Sequence, residues 1–452
     1  MSTPTSPTRP RFDDPLLHRV LMDFRRVDSR ASILAIAKEY MCICAVIATS
    51  VIFAESRAGW GLSWAWNIPV FALAVALIGA LQHRLAGLAH EASHYTLLEN
   101  KFANDLVADL FCLFPILSTI HFYRLFHMAH HQYTNDPERD PDLLNMGRSK
   151  KVDDFPMTRI QFFKAFPGRL FFAPFSFAQY LWDYIYVNVF GKGGSPYAGR
   201  TASTGGGSKL RLGSILGLIH LLGVNLGLWV LTASNRAEWI LPFGVVAIAI
   251  GLIGPWLLPD RSIFQSPFRE PYSPRFASMM RLTFLTLLML GLARLRHATG
   301  GASAVYVFLL WVLPMSTSFM FYMLLRDVYQ HANADRGRLT NSRVFFVDAW
   351  TKWAVFVYGQ DMHVPHHLFP AIPHYRLPAL HEYLRTNHRE YAEHVVECRG
   401  TIANEGEGPT ILDVLTTINP SDGEARHHSA HPAPRPNRLA ISEDKSFTTQ
   451  ND

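Results

Sequence analysis

Residues 215–233 read ILGLIHLLGVNLGLWVLTA and contain no Asp, Glu, Lys or Arg. A helix needs about 20 apolar residues to cross the roughly 30 Å hydrocarbon core of a bilayer, so this stretch is long enough for one crossing. A buried helix of a large soluble protein is the alternative, but an uncharged run of this length favours the membrane. The stretch therefore predicts a transmembrane helix.

Five further runs have the same apolar character, at residues 35–55, 66–86, 238–258, 280–297 and 303–325. Hydrophobic residues make up 49% of the 452-residue chain and charged residues only 17%, which suits a protein surrounded by lipid. Residues 104–120 are also apolar, but Phe122-Tyr123-Arg124 follows them, so we expect a shallow helix pair or a re-entrant segment there. The predicted fold is all-α, a multi-pass transmembrane helix bundle.

Histidines repeat at helical spacing in three clusters. The clusters are His90-Glu91-Ala92-Ser93-His94, His127-Met128-Ala129-His130-His131 and His363-Val364-Pro365-His366-His367. Residues three and four apart share a helix face, with about 5–6 Å between Cβ atoms, so each cluster can direct its imidazoles at one point. Eight imidazoles exceed what one ion uses, which predicts two metal ions. Solvated surface histidines are the alternative, and they explain two His-x-x-His-His repeats poorly.

The charge distribution predicts that the clusters share one side of the membrane. Four arginines precede the first span and four more follow the fourth span, as the positive-inside rule expects of cytoplasmic segments: Arg19, Arg25, Arg26, Arg30, Arg261, Arg269, Arg275 and Arg281. Paired spans then return all three clusters to the cytoplasmic side. We therefore expect a cytosolic helical cap that holds a dinuclear metal site.

Further residues are candidates for the same site. His331 follows the last span, 32 positions before the third cluster, and we predict that it is a ninth ligand. Ligating histidines usually donate their second N–H to a carboxylate or a carbonyl, which fixes the tautomer. Candidate partners next to the ligands are Glu91, Asp140, Asp142 and Asp361. Asp361 or His363 is expected to cap a short helix that ends before Pro370.

Three segments carry a family resemblance. HEASH at 90–94, HMAHHQYTNDPERDPDL at 127–143 and HVPHHLFPAIPHYRLPALHEYL at 363–384 resemble the histidine boxes of the membrane fatty acid desaturase and hydroxylase superfamily, over roughly residues 65–145 and 320–390. The resemblance implies a non-haem centre of two Fe ions that uses O2 and two external electrons on an unactivated C–H bond. It implies ligation by His90, His94, His127, His130, His131, His363, His366 and His367, with His331 at the position of an additional family histidine.

The function expected from this resemblance is desaturation of the acyl chain of a lipid. Hydroxylation or ketolation of a lipid or carotenoid at the same centre is the alternative, and Gln360-Asp361 and Pro365 depart from the common family pattern, which leaves the subfamily open. A ferredoxin- or cytochrome-type partner must supply electrons, because the chain has no haem or dinucleotide motif of its own. The expected location is the bacterial inner membrane or the endoplasmic reticulum, with the active site on the cytoplasmic side.

Two other functional classes were weighed. His90-Glu91-x-x-His94 matches the zinc metalloprotease signature, with Glu91 as general base, but one zinc leaves the other histidine clusters unexplained. A transporter or receptor would place more polar residues within its spans. The net charge of +6 suits anionic lipid headgroups, and no motif indicates nucleic acid.

The domain organisation follows from composition. Residues 1–30 are expected to form a cytosolic head, residues 31–419 the desaturase-like membrane domain and residues 420–452 a disordered tail. A flexible linker is expected near 191–209, where Gly, Ser and Thr accumulate. In the tail, His427, His428 and His431 are expected to be solvated. Cys42 and Cys44 are expected to be small core residues, since the four cysteines form no disulfide or metal pattern.

Overall fold

The regular structure is almost entirely helical. The computed structural model describes residues 15–172, 174–198, 212–404 and 406–416. The α-helices are α1 Pro15–Phe24, α2 Ser29–Ser56, α3 Asn67–Ser93, α4 Lys101–Val107, α5 Ile120–Tyr133, α6 Pro141–Met146, α7 Arg159–Ala165, α8 Pro167–Phe172, α9 Pro174–Tyr184, α10 Leu212–Ala233, α11 Ile240–Leu257, α12 Pro274–Ala298, α13 Ala302–Val307, α14 Leu313–Ser316, α15 Ser318–His331, α16 Ala349–Ala354, α17 His363–Leu368, α18 Leu377–Asn387, α19 Arg389–His394 and α20 Ile411–Thr416.

Shorter elements join these helices. Three π-helical segments occur at Ala108–Leu113, Ile185–Val189 and Phe308–Val312. Single 3₁₀ turns lie at Trp64–Trp66, Phe114–Ile116, Val152–Asp154, Pro196–Ala198, Ala237–Trp239, Asp260–Ser262 and His374–Arg376. Two three-residue strands, β1 Val344–Phe346 and β2 Glu397–Arg399, pair in parallel, with Phe345 opposite Cys398. The predicted all-α fold is confirmed.

Six helical segments are long and apolar enough to cross a membrane, as predicted. They are Ser29–Ser56, Trp64–Ser93, Leu212–Ala233, Ala237–Leu257, Pro274–Ala298 and Ala302–His331. Large apolar side chains on their outer faces are exposed, as a lipid-facing surface requires. Cys42 and Cys44 also lie on an exposed face of α2, so the prediction that they belong to the core was wrong. The six spans fit an integral membrane protein.

Two spans continue beyond the apolar window that the sequence indicates. Trp64–Ser93 has 30 residues, and so does Ala302–His331. At 1.5 Å per residue each is about 45 Å long, which exceeds the roughly 30 Å hydrocarbon core by several helical turns. His90 lies in the last turn of α3 and His331 ends α15. The membrane helices themselves therefore carry two of the candidate ligand positions.

A close crossing fixes α3 against α15. A Cβ atom built on Gly79 would lie 2.6 Å from the backbone nitrogen of Phe319, so only glycine allows this approach. Ser318 Oγ donates a hydrogen bond to the carbonyl of Val75 at 2.6 Å across the same contact. Phe319 is fully buried there. The crossing positions the first histidine cluster relative to His331.

The apolar segment after the first cluster forms two helical pieces. Lys101–Ile116 and Ile120–Tyr133 meet at 93°, in agreement with the predicted helix pair. Arg124 is buried at their junction, where its Nη2 binds Asp105 Oδ1 at 2.6 Å and the Ala92 carbonyl at 3.1 Å. This guanidinium ties α5 both to α4 and to the end of α3. The second histidine cluster is thereby placed next to the first.

Helices α16 to α20 and the two strands form a cap over one end of the bundle. Leu17 of α1 is fully buried against Leu380 and Leu384 of α18. The backbone N–H of Asp28 donates to Tyr375 Oη at 2.6 Å. The described part of the predicted head therefore packs on the cap next to the third histidine cluster.

Part of the predicted flexible linker is packed. Lys192 and Ser195 are buried, and Tyr197 Oη donates to Gln132 of α5. Tyr197 of this segment thereby contacts the second histidine helix. Residues 199–209 and 420–452, including His427, His428 and His431, lie outside the described residues.

Candidate metal centre

The nine predicted ligands form two compact groups. In one group are His90, His94, His127, His131 and His366, and in the other are His130, His331, His363 and His367. Within each group, one nitrogen per residue lies within 4.8 Å of the nitrogens of all other members. Every predicted ligand position is therefore in one group or the other. The eight box histidines divide into five and three, and His331 completes the smaller group.

Helices α3, α5 and α17 carry the three histidine clusters. His90 and His94 lie at the C-terminus of α3, and the second cluster occupies the last two turns of α5. The third cluster forms α17, in which Pro365 is tolerated because it lies in the first turn. Met362 precedes α17 and no side chain caps it, so the prediction of a cap by Asp361 or His363 was wrong. The predicted end before Pro370 is correct.

Short distances join the ring nitrogens in each group. In the larger group the Nε2 atoms of His94 and His127 are 2.9 Å apart, and those of His131 and His366 are 3.1 Å apart. In the smaller group Nε2 of His363 lies 2.9 Å from that of His331 and 3.0 Å from that of His367. Neighbouring ligands with metal–nitrogen bonds of ~2.1 Å are separated by about 3.0 Å at right angles and by about 3.4 Å in a tetrahedron. Separations of this size are those expected between ligands that share one metal ion.

Hydrogen bonds among the imidazoles cannot satisfy all of these ring nitrogens. His127 Nε2 faces Nε2 of both His94 and His131, but a neutral imidazole nitrogen carries one proton or one lone pair. Both nitrogens of His90 are buried without a hydrogen-bond partner. Converging lone pairs and unpartnered buried nitrogens are the donor set that a cation requires. The residues present therefore fit a metal ion in each group.

The charge state of the third cluster suits ligation. Burial, followed by the proximity of other imidazoles, holds the pKa of His363, His366 and His367 well below its usual range. Neutral imidazole is the form that binds metals. These rings therefore hold their lone pairs free at neutral pH.

Residues outside the smaller group orient three of its imidazole rings. His130 Nδ1 lies 2.9 Å from Asp140 Oδ1, a geometry in which the ring donates to the carboxylate. His331 Nδ1 lies 3.1 Å from the carbonyl oxygen of Asn341, and His367 Nδ1 lies 3.2 Å from Thr134 Oγ1. With Nδ1 engaged in this way, the Nε2 atoms are left to face one another.

Glu91 connects the larger group to the cap. Its Oε1 lies 3.6 Å from His90 Nδ1. Its Oε2 accepts hydrogen bonds from the backbone N–H of His374 at 2.8 Å and from Thr96 Oγ1 at 3.0 Å. The carboxylate is only 2% exposed. Glu91 is therefore next to a box histidine, as predicted, and it also anchors the turn that begins at His374.

The two remaining predicted carboxylates differ in position. Asp142 Oδ2 is 3.9 Å from His130 Nδ1 and 3.2 Å from Lys150 Nζ, so it lies near the site at longer range. Asp361 Oδ2 pairs instead with Lys352 Nζ at 2.8 Å. No hydrogen bond joins the Asp361 carboxylate to a box histidine among the described residues, which contradicts its predicted place beside the ligands.

A chain of buried charges, absent from the predictions, adjoins the smaller group. Arg326 Nε binds Asp327 Oδ1 at 2.9 Å, and Asp327 Oδ2 binds Lys150 Nζ at 3.0 Å. Lys150 continues the chain to Asp142. Sequence spacing gives no sign of these pairs, because Lys150 and Asp327 are 177 positions apart. Likewise, only the fold reveals that the Asn341 carbonyl orients His331 and that Thr134 orients His367.

Comparison with known proteins agrees with this geometry. The sequence model of the family described as "Fatty acid desaturase" matches residues 63–299 and 252–400. A curated relative, the dihydrorhizobitoxine desaturase of Bradyrhizobium elkanii, is 35% identical over 158 residues. That alignment covers 35% of this chain and 41% of the relative, so the chain matches less than half of the relative's length.

Proposed function

Because this chain belongs to the fatty acid desaturase family, we propose that it is a membrane-bound oxidoreductase that desaturates the acyl chain of a lipid with O2 and two external electrons. The observation that carries the proposal is the division of nine histidines into two groups, in each of which one nitrogen per ring lies within 4.8 Å of those of the other rings. Acids and bases alone cannot break an aliphatic C–H bond, so a redox-active group is required.

Two iron ions are the cofactor that we propose. One would be held by His90, His94, His127, His131 and His366, and the other by His130, His331, His363 and His367. Iron bound there would supply the activation of O2, which zinc cannot supply because it has no redox chemistry.

The protein's own contribution is to hold and orient the ligands. Asp140 fixes the ring of His130 through its Nδ1, and the Asn341 carbonyl does the same for His331. Such contacts set the tautomer and raise the basicity of a metal-binding histidine. Four of the nine proposed ligands are buried and the other five are partly buried, which limits the access of bulk water to the reacting centre.

The metalloprotease alternative is disfavoured by the position of Glu91. A general base must reach a metal-bound water with a free carboxylate oxygen. Glu91 Oε2 is engaged by His374 and Thr96, and Oε1 lies against the Nδ1 side of His90. The carboxylate thus orients a ligand and anchors the cap. A transporter or receptor would not require nine histidines to converge.

Hydroxylation or ketolation at the same centre is the second candidate. The choice depends on where the substrate lies relative to the oxidant, and both the family and the printed name of the relative favour desaturation. The relative is named for dihydrorhizobitoxine, so that compound is a second substrate to test beside acyl lipids.

We propose that the centre faces the cytoplasm and receives electrons from a ferredoxin- or cytochrome-type donor. Six spans would return the chain to its starting side, and α1, which Arg25 and Arg26 follow directly, packs with the cap near the third cluster. The proposed layout is a head at residues 1–30, a membrane domain at 31–419 and a tail at 420–452. The protein would reside in a bacterial inner membrane or the endoplasmic reticulum.

Metal analysis and product analysis test the proposal together. The purified protein should contain two irons per chain, whereas one zinc would indicate the protease. Lipids of a host that expresses the chain should lose two hydrogen atoms if it is a desaturase and gain one oxygen atom if it is a hydroxylase. A matched host that expresses the His127→Ala, His130→Ala, His131→Ala protein controls for host enzymes. An iron-loaded wild-type protein that leaves acyl lipids and dihydrorhizobitoxine unchanged would contradict the proposed substrates.

A further inference from the structure

An exposed aromatic side chain lies where the cap meets the head of the chain. Tyr375 is 36% exposed, and its Oη accepts a hydrogen bond from the backbone N–H of Asp28 at 2.6 Å. Cζ of Arg376 lies 5.8 Å from the centroid of its ring. The carbonyl oxygen of Arg26 is 3.5 Å from the same Oη. We call the surface formed by residues 15–30 and 374–376 the Tyr375 face.

The Tyr375 face is basic. Its arginines are Arg19, Arg25, Arg26, Arg30 and Arg376, and its carboxylates are those of Asp23 and Asp28, so the cations exceed the anions by three. Arg26 pairs with Asp23 at 3.3 Å, but the two side chains are 77% and 72% exposed, and an ion pair so exposed holds weakly. A cluster of exposed cations attracts an acidic macromolecule and raises its rate of association.

A short series of contacts leads from the Tyr375 face to a candidate metal ligand. The ring centroids of Tyr375 and His374 are 5.1 Å apart. His374 Nδ1 lies 3.2 Å from Glu91 Oε2, and Glu91 Oε1 lies 3.6 Å from His90 Nδ1. Two side chains therefore separate an exposed aromatic ring from a member of the larger histidine group.

Neighbouring residues hold the turn at His374 in place. Gly359 has a φ of +73°, and a Cβ atom built on it would lie 3.0 Å from the carbonyl oxygen of His374. The ring of Tyr358 packs against that of His374 at 5.0 Å between centroids, and its Oη donates to Glu39 Oε1 at 2.5 Å. A surface fixed in this way loses little conformational freedom when a partner binds.

We propose that the Tyr375 face is the docking surface for the electron donor, a small acidic protein that carries one electron at a time. Electron transfer weakens steeply with distance, so a donor must dock where its redox group comes near a metal ligand. The contacts through His374 and Glu91 begin at this face and end at His90. Each docked carrier would be oxidised by one electron while one ferric ion of the larger group is reduced to the ferrous state. Two carriers that dock in succession would supply both electrons of the reaction.

This inference rests on the proposed function, because it assumes that the histidine groups hold iron. Anionic lipid headgroups are the other partner that the arginines could attract. A lipid surface gains nothing from contacts that lead to a metal ligand, and the coincidence of those contacts with the positive charge favours the carrier. Electron-transfer complexes are also small and depend on charge, which suits one exposed ring among arginines.

The binding of an acidic [2Fe–2S] ferredoxin to the iron-loaded protein in phosphatidylcholine nanodiscs tests the inference, with empty nanodiscs as the blank. The affinity should fall about tenfold or more between about 20 and about 200 mM salt, because salt screens exposed charges. Arg26→Glu should lower the association rate about tenfold or more, and Arg26→Lys should keep it because the charge is retained. Arg296→Glu, the same charge change at the exposed far end of α12, should leave the rate unchanged.

The rate of iron reduction separates docking from damage to the metal centre. Ferredoxin at low concentration should reduce the iron of Arg26→Glu about tenfold more slowly than that of the wild type. Duroquinol, an uncharged small reductant that needs no docking surface, should reduce both at the same rate. The iron content and melting temperature of Arg26→Glu should match the wild type, because its side chain is exposed.

Equal ferredoxin affinity in wild type and Arg26→Glu would overturn the inference. If Arg26→Glu also loses phosphatidylglycerol that native mass spectrometry detects on the wild type, the Tyr375 face belongs to lipid headgroups instead.

Failure of the inference and failure of the proposed function give different results, because binding and iron reduction are measured without a lipid substrate. A protein that desaturates acyl lipids but binds ferredoxin independently of Arg26 retains its function and loses the inference. A protein that binds ferredoxin through Arg26 but oxidises no lipid keeps the docking surface and contradicts the function.

Discussion

His331 Nε2 lies 2.9 Å from His363 Nε2, although one residue ends a membrane helix and the other begins a short helix of the cap. The carbonyl of Asn341 holds the opposite ring nitrogen of His331 at 3.1 Å. His331 is therefore aimed into the smaller group, where it stands beside only three box histidines. His331 therefore supplies one of the four imidazoles of the smaller group, as each of the three box histidines does.

Replacement of His331 with alanine should release the metal of the smaller group and abolish turnover. The larger group does not include this residue, so its metal should stay bound. Metal analysis of the purified protein should then give about one ion per chain in place of two, since an octahedral-type site with three nitrogens binds weakly. His394→Ala, at an exposed position on α19, is the control. A fully loaded and active His331→Ala protein would show that this histidine is structural.

Asp140→Asn should lower metal affinity by about 10- to 100-fold, the usual effect of removing a carboxylate that orients a ligating histidine. Asp142→Asn should have a smaller effect, because its carboxylate is 3.9 Å from His130 Nδ1 and Asp140 is at 2.9 Å. Competition with a chelator measures both affinities. Asp154→Asn, whose carboxylate is 56% exposed, should leave affinity unchanged. Equal losses for Asp140 and Asp142 would contradict this ranking.

The metal-free protein should lose stability as pH falls below about 6.5. The pKa values of His363, His366 and His367 are held well below the ordinary 6.5, so the unfolded chain takes up protons that the folded chain refuses. Through these three residues the free energy of unfolding should therefore decrease below that pH. His130 acts in the opposite direction: although burial lowers its pKa, the carboxylates of Asp140 and Asp142 raise it to about 9, so the stability that it adds is lost as pH rises from about 6.5 through about 9. Thermal unfolding in detergent from about pH 5 to about pH 8 provides the measurement. A melting temperature that rises as pH falls below about 6.5 would refute the prediction.

Gly79→Ala should destabilise the protein by about 1–3 kcal/mol, the usual range for overpacking a tight contact. The added Cβ would meet backbone as well as side-chain atoms of α15, so the two helices must move apart. Because α3 and α15 both carry candidate ligands, metal affinity should fall with stability. Gly254→Ala is the matched control, since nothing lies within 4 Å of its Cβ position. Equal melting temperatures of the two variants would exclude a tight helix crossing.

The membrane spans and the box histidines could be predicted from patterns among residues that are close in sequence. Membrane spans are visible because a helix that crosses lipid needs an unbroken apolar run, and all six were found near their observed positions. Box histidines are visible because helical periodicity places residues three and four apart on one face. Helix ends were less accurate, since α3 and α15 continue into the cap as helices after their apolar windows end.

By itself, the sequence determined the helical membrane fold and the identity of the eight box histidines, because both depend on short-range periodicity. The place of His331 after the last span indicated the ninth histidine. Only the tertiary structure decided how those histidines divide. It placed His366 with the first cluster and His130 with the third, and it paired Asp361 with Lys352 instead of a ligand. The charges of Arg326, Asp327 and Lys150 also meet only in the folded chain. Such contacts join residues far apart in sequence. They depend on how the helices cross and bend, and the spacing of residues along the chain does not predict them.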